Sequence, residues 1–124
     1  MKRILVVESE KPLREAYAAT LRMEGFEVDA VGAGETALIK TREGTYDLVL
    51  LDMKMPGMSG VEFLRKFDVG AHPEISVIVF SDSSDRAEME EAMRLGAARY
   101  LMKSSCPPKK MVETVRETLG ASES

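Results

Sequence analysis

Four polar side chains stand at the ends of short apolar runs in this sequence, and their types suit one chemistry. Glu8 follows Ile4–Val7, Asp52 follows Leu48–Leu51, Ser81 follows the run ending at Phe80, and Lys103 follows Tyr100–Met102. Runs of this length and apolarity predict strands buried on both faces. In an open α/β sheet, ligands bind where the carboxyl ends of strands hand over to loops. Carboxylates gathered there (Glu8, Glu10 and Asp52) repel one another, and a divalent cation relieves the repulsion. Hard oxygen ligands point to Mg²⁺ or Mn²⁺ rather than zinc. A carboxylate, a hydroxyl and an ammonium on one rim suit phosphoryl transfer to a carboxylate. Asp52 would be the nucleophile, the metal and Lys103 would neutralise phosphoryl oxygens, and Ser81 would donate a hydrogen bond to one of them. Each residue alone has a plain structural reading: a turn for Ser81, a solvated chain for Lys103, a helix start for Glu10. Four such groups at four strand ends carry the functional reading jointly.

The elements that must position them alternate along the chain. Arg3–Val7 reads as a first strand, and Pro12 opens a helix that Gly25 ends. Glu27–Val31 alternates polar and apolar residues and reads as an edge strand. A helix from Gly34 to Arg42 follows, then the strand Leu48–Leu51. Ser59 and Glu62 have capping-box spacing and open a third helix. Ser76–Phe80 is a fourth strand, Asp85 and Glu88 offer a second capping pair, and Gly96 stops the helix they open. Tyr100–Met102 is a fifth strand, and Pro107-Pro108 opens the last helix. Five strands alternating with five helices predict parallel pairing with right-handed crossovers. The most continuous apolar strands (first, third, fourth) belong in the middle. The expected architecture is a three-layer α/β (βα)5 fold, flavodoxin-like and doubly wound, with strand order 2-1-3-4-5. That order sets Glu8 beside Asp52.

The 124 residues suit one domain. With 44% hydrophobic and 31% charged residues, the composition is that of an ordinary globular protein. A net charge of −4 gives no electrostatic footprint for direct nucleic-acid binding, and no apolar run is long enough for membrane insertion. The single cysteine, Cys106, fits a cytoplasmic location and reads as a plain thiol. His72 reads as a solvent residue in a polar loop. Met53 and Met55 flank Asp52 and are expected to pack against it or gate it. Met89 and Met93 repeat at helical spacing, as core or interface residues do. Gly32-Ala33-Gly34-Glu35-Thr36-Ala37 fits G-x-G-x-x-A, with Asp52 placed 20 residues beyond the first glycine. A dinucleotide fingerprint belongs after a central apolar strand, whereas Glu27–Val31 alternates.

From Lys2 to about Leu119 the chain resembles the receiver domain of two-component response regulators. The resemblance rests on ILVVESE, DLVLLDMKMPGMSG, VIVFSDSS, the AMRLGAARYLMK run and the final helix. It implies a receiver domain over residues 1–120 and a short polar tail over 121–124. It implies that Asp52 accepts a phosphoryl group from a histidine kinase or phosphotransfer protein, with Lys103 and Ser81 assisting. It implies Mg²⁺ or Mn²⁺ held by Glu8, Asp52 and the backbone carbonyl of Lys54. Ser81 and Tyr100 would be the switch residues. The face made by the fourth helix, fifth strand and fifth helix would then change its hold on a downstream effector protein or output domain. The resemblance implies no conventional enzyme, although self-phosphorylation and autodephosphorylation belong to it. The sequence departs from the pattern in three places. Ser9 stands where the family places a metal-binding Asp, so metal is expected to bind weakly. Ser104 stands where a cis proline normally follows the lysine, and a cis bond before serine would cost about 3 kcal/mol, so Lys103 is expected to aim differently. Asp82 stands beside the site where a small residue is usual. A degenerate receiver, binding its partner without phosphate, is the alternative these departures suggest. No output domain is legible after Leu119, so the chain reads as a free-standing receiver or as one cut from a longer protein.

Overall fold

The computed structural model describes residues 1–123, with side chains through Gly120. Five strands and five helices alternate: β1 (Arg3–Val7), α1 (Lys11–Met23), β2 (Glu27–Val31), α2 (Gly34–Glu43), β3 (Leu48–Leu51), α3 (Gly60–Phe67), β4 (Ser76–Ser81), α4 (Arg86–Arg94), β5 (Arg99–Met102) and α5 (Pro108–Glu123). All strand pairs are parallel, in the order β2-β1-β3-β4-β5. The expected topology and the edge position of the alternating strand are both observed. The side chains of 121–123 and all of Ser124, the segment read as a tail, lie outside the described residues.

The strand pleat divides the core in two. Leu5, Val7, Val49, Leu51, Val77 and Val79 face one side, where α2, α3 and α4 supply Leu38, Phe63, Leu64, Phe67 and Ala92. Ile4, Val6, Leu48, Leu50, Ile78 and Phe80 face the other, where α1 and α5 supply Ala18, Leu21, Met111, Val115 and Leu119. Burial on both faces is the reason β1, β3 and β4 read as unbroken apolar runs. Among the described residues no helix is long and apolar enough to cross a membrane.

Several local expectations need correction. β4 extends to Ser81, so the hydroxyl belongs to the last strand residue and not to the loop after it. His72 is half-buried and stacks on Phe67, with ring centroids 4.5 Å apart, and its Nδ1 lies 3.5 Å from Glu74. Met89 and Met93 are exposed, which excludes the core alternative for them. Met53, Met55 and Met58 are buried in the core between the sheet and α2–α3, so they pack rather than gate.

Candidate functional site

Register builds the site. Val7 pairs with Leu51, so Glu8 and Asp52 leave the sheet side by side, and the Asp52 N–H donates to the Val7 carbonyl at 2.9 Å. Both carboxylates are buried, at 2% exposure for Glu8 and 5% for Asp52. The floor beneath them is formed by Val6, Val7, Leu50, Tyr17 and Phe80, with the last two rings packed edge to face. The loop after Asp52 is fixed from the far side. The Gly60 N–H donates to the Met53 carbonyl at 2.8 Å, and a Cβ on Gly60 would lie 2.7 Å from Met53 Cα. Only glycine allows α3 to start this close to the acidic loop.

Lys103 arrives from β5, where Met102 pairs with Ser81. Its Nζ donates to Glu8 Oε1 at 2.7 Å and Asp52 Oδ1 at 3.4 Å. No peptide bond among the described residues is cis. Ser104 instead continues a single 3-10 turn, Lys103–Ser105, and the lysine still spans the end of β4 to reach both acids. The expectation that Ser104 would redirect Lys103 is therefore corrected.

One ammonium does not balance two buried carboxylates. Burial first, then the charge of Glu8 and a hydrogen bond with it, push the Asp52 carboxyl up to about 6, against the opposing pull of Lys103 and the Lys54 N–H. Lys103 is held above its ordinary value: burial opposes its charge, and Glu8 and Asp52 more than offset that.

The other sequence candidates are distributed around this centre. Glu10 is exposed, and its contribution is its backbone N–H, which donates to Glu8 Oε2 at 3.1 Å. Its carboxylate does not join the crevice as expected. Ser9 is half-buried beside the pair. Lys54 has an exposed side chain and donates its N–H to Asp52 Oδ1 at 3.4 Å. Ser81 is fully buried, and its Oγ accepts the Ser83 N–H at 3.1 Å. Asp82 is exposed. The Tyr100 hydroxyl lies 3.3 Å from the Ser83 carbonyl and 3.3 Å from Glu88 Oε1. Burial is the main cause that raises the Tyr100 phenol above its ordinary value.

Two contributors escaped the sequence reading. Glu88 was assigned to a capping box with Asp85. Asp85 does cap α4, accepting from Ala87 and Glu88 N–H groups, but the Glu88 side chain turns to Tyr100. Arg14, on the first turn of α1, is the second. Its Nη1 donates to the carbonyls of Glu8 at 2.9 Å and Ser9 at 3.4 Å. The one signal for it was Gly32, where a Cβ would lie 2.7 Å from that same nitrogen.

The donor set fits a small divalent cation. The two buried carboxylates, Glu8 and Asp52, are hard oxygens that share one ammonium, Lys103, between them. It is a lean set: among the described residues no three acidic, histidine or cysteine side chains gather as a metal cluster.

A parallel doubly wound sheet in this order, with a buried aspartate, a lysine and a hydroxyl at the carboxyl ends of its strands, defines a flavodoxin-like α/β protein with its site at the topological switch point. The family profile described as "Response regulator receiver domain" matches residues 4–116, and this chain belongs to that family. It is 35% identical over 122 residues to the DNA-binding response regulator MtrA of Mycolicibacterium smegmatis, covering 98% of this chain and 52% of that protein. It is 32% identical over 112 residues to the phosphate regulon transcriptional regulatory protein PhoB of Rhizobium meliloti, covering 90% and 49%. The chain thus spans about half the length of these curated relatives. Among solved structures, a CheY-like receiver domain protein of Methanospirillum hungatei superimposes with a TM-score of 0.93 at 28% identity, covering 99% and 97% of the two chains. The response regulator TrrA of Thermotoga maritima, solved in complex with Mg²⁺ and BeF, superimposes at 0.83 with 35% identity, covering 94% and 98%. The chain is a receiver domain of two-component signalling, a family of switches rather than conventional enzymes.

Proposed function

We propose that this receiver, spanning residues 1–120, is phosphorylated on Asp52. The observation that carries the reading is the buried Glu8–Lys103–Asp52 cluster, with the Lys103 ammonium within 2.7 and 3.4 Å of the two acids. An Asp52 oxygen attacks phosphorus in line. The P–N bond to the histidine of a kinase or phosphotransfer protein breaks, and the departing imidazole keeps the bond's electron pair and takes up a proton. Lys103 is placed to neutralise a phosphoryl oxygen, and its release from the acid pair offsets the charge Asp52 gains. Glu8, Asp52 and the Lys54 carbonyl would hold Mg²⁺ or Mn²⁺, with Ser9 contributing at most a hydroxyl. When bound, the metal supplies positive charge against the phosphoryl oxygens.

Ser81 and Tyr100 form the switch. A phosphoryl oxygen on Asp52 accepts from the Ser81 hydroxyl and draws it inward, away from the Ser83 N–H that its oxygen accepts, and Tyr100 contacts both Ser83 and Glu88. The change is thereby passed to the α4–β5–α5 face. That face is read by a downstream effector protein or output domain in the cytoplasm. MtrA is named as a DNA-binding response regulator and PhoB as a transcriptional regulatory protein. This segment, at a net charge of −4, is not itself the nucleic-acid contact.

The test incubates the protein with an acyl phosphate in Mg²⁺, in Mn²⁺ and in chelator, and reads intact mass. A metal-dependent single phosphoryl adduct absent from Asp52→Asn is the expected result. No adduct under any metal overturns the reading and favours a phosphate-independent binding module.

A further inference from the structure

Arg14 stands outside the set of residues that touch a phosphoryl group or a metal, yet it grips the loop that presents Glu8. Its guanidinium folds back from the first turn of α1 onto the end of β1. There one nitrogen bonds the carbonyls of both Glu8 and Ser9. The Arg14 N–H bonds the Glu10 carbonyl at 2.9 Å, so backbone and side chain of one residue hold three successive loop residues. The Glu10 side chain makes no cap at this helix start. The space the guanidinium occupies exists because residue 32 is glycine. A Cβ there would meet Arg14 Nη1 at 2.7 Å and lie 3.9 Å from the Glu8 carbonyl oxygen.

The consequence is directional. Arg14 holds the Glu8 carbonyl on the side of the β2–α2 loop, while the Glu8 carboxylate meets Lys103 and the Glu10 N–H on the opposite, Asp52 side. A peptide plane fixed at one edge fixes where the side chain starts. That matters more here than in a site with two loop acids, because Ser9 supplies no second carboxylate. All the acidic metal-binding capacity of this loop rests on one residue whose direction Arg14 sets.

We propose that Arg14, seated over Gly32, is a positioning residue that aims the Glu8 carboxylate at the divalent-cation site. This rests on the reading of Glu8 and Asp52 as the acidic metal ligands. Gly32 is explained with it: the first glycine of the G-x-G stretch is room for a guanidinium, not an approach for a pyrophosphate.

The test measures Mn²⁺ affinity directly, from the paramagnetic resonance signal of free Mn²⁺, with no phosphodonor present. The proteins are wild type, Arg14→Ala, Arg14→Lys, Gly32→Ala and the Arg14→Ala/Gly32→Ala double variant, each with its thermal midpoint. Arg14→Ala and Gly32→Ala are expected to weaken Mn²⁺ binding threefold or more. The double variant is expected to bind no more weakly than Arg14→Ala alone, because both changes remove one contact. Arg14→Lys, which retains one donor toward the Glu8 carbonyl, is expected to recover part of the affinity. Unchanged Mn²⁺ affinity in both single variants, with only the thermal midpoint lowered, overturns the proposal and leaves Arg14 a packing residue. Additive losses in the double variant overturn it as well. A wild-type protein that binds no Mn²⁺ overturns the metal reading of the site itself, an outcome distinct from the other two.

Discussion

Asp52 sits where its own charge is costly. It is 5% exposed, it adjoins Glu8, and the single ammonium between them lies closer to Glu8. Its carboxyl is raised to about 6 by burial and by Glu8. An acid whose folded value exceeds its unfolded value contributes favourably while protonated, and that contribution is lost as pH rises through the folded value. Above about pH 6 the metal-free fold therefore carries a penalty of about 3 kcal/mol from ionised Asp52. Asn at this position keeps the shape and removes the charge. In chelator, Asp52→Asn is expected to be more stable than wild type by up to about 3 kcal/mol near neutral pH, with the advantage shrinking between about pH 6 and pH 4. Urea denaturation across that range checks it, and a variant that is less stable at every pH would contradict the electrostatic account. The residue proposed to act as an ionised nucleophile is one the fold would hold more easily neutral. The strain is released by whatever supplies positive charge, whether a metal or a repositioned Lys103.

At the scale of elements, α4 is the least anchored. Ala92 is its only fully buried residue, while Met89 and Met93 face outward. With so little apolar burial, its start depends on Asp85, which accepts from the N–H groups of Ala87 and Glu88. Asp85→Ala is expected to cost about 1 kcal/mol. Hydrogen exchange should then quicken in α4 amides before those of β1 and β3, and a uniform change across the molecule would refute this. How much of the site was legible follows the same division between local and distant causes. Strands β1, β3 and β4 were readable because burial on both faces forces unbroken apolar runs, and β2 because one-sided exposure forces alternation. Their order placed Glu8 beside Asp52 before any coordinates. The cap at Ser59 was also readable, since its Oγ accepts from a residue three positions on. Glu88 was not, because a carboxylate at that spacing serves a cap or a distant ring equally well, and the ring is Tyr100 on another strand. The G-x-G stretch fits a dinucleotide fingerprint by spacing alone, for a related reason. Gly32 and Gly34 make room for Arg14 and Met58, with a Cβ at 2.7 and 2.8 Å from each, and spacing cannot say which neighbour needs the room. Ser104 was over-read, because a short 3-10 turn delivers Lys103 without the expected proline.

Across the whole molecule, the two ends of the sheet are built to opposite rules. The carboxyl ends of the strands hold like charges in tension. Toward the amino ends, the charges are paired and stitch separate elements together. The Arg3 N–H donates to Asp47 at 2.8 Å, its guanidinium pairs with Asp29 at 2.8 Å, and the Tyr46 hydroxyl donates to the same Asp29 oxygen at 2.7 Å. These contacts join β1, β2 and the segment leading into β3. Tyr46 is 3% exposed, and burial, then its bond to Asp29, raise its phenol to about 12, while Arg3 above the ring opposes the rise. A phenol raised above its unfolded value of about 10 stabilises the fold below that pH, and the stabilisation is lost as pH climbs toward 12. Tyr46→Phe keeps the packing and gives up the bond to a partly exposed carboxylate, at a cost of about 1.5 kcal/mol near neutral pH. Because phenylalanine does not ionise, the gap between the two proteins is expected to close and then reverse above about pH 10, as wild type alone loses about 3 kcal/mol from this group. Tyr17 and Tyr100 titrate in both proteins, so their contribution cancels in the difference. Denaturant midpoints at neutral, mildly alkaline and strongly alkaline pH decide it. A gap that stays constant as pH rises would contradict the raised phenol, and no gap at any pH would mean that Tyr46 contributes through packing alone, with the stitched end of the sheet held by the Arg3–Asp29 and Arg3–Asp47 contacts without its hydroxyl.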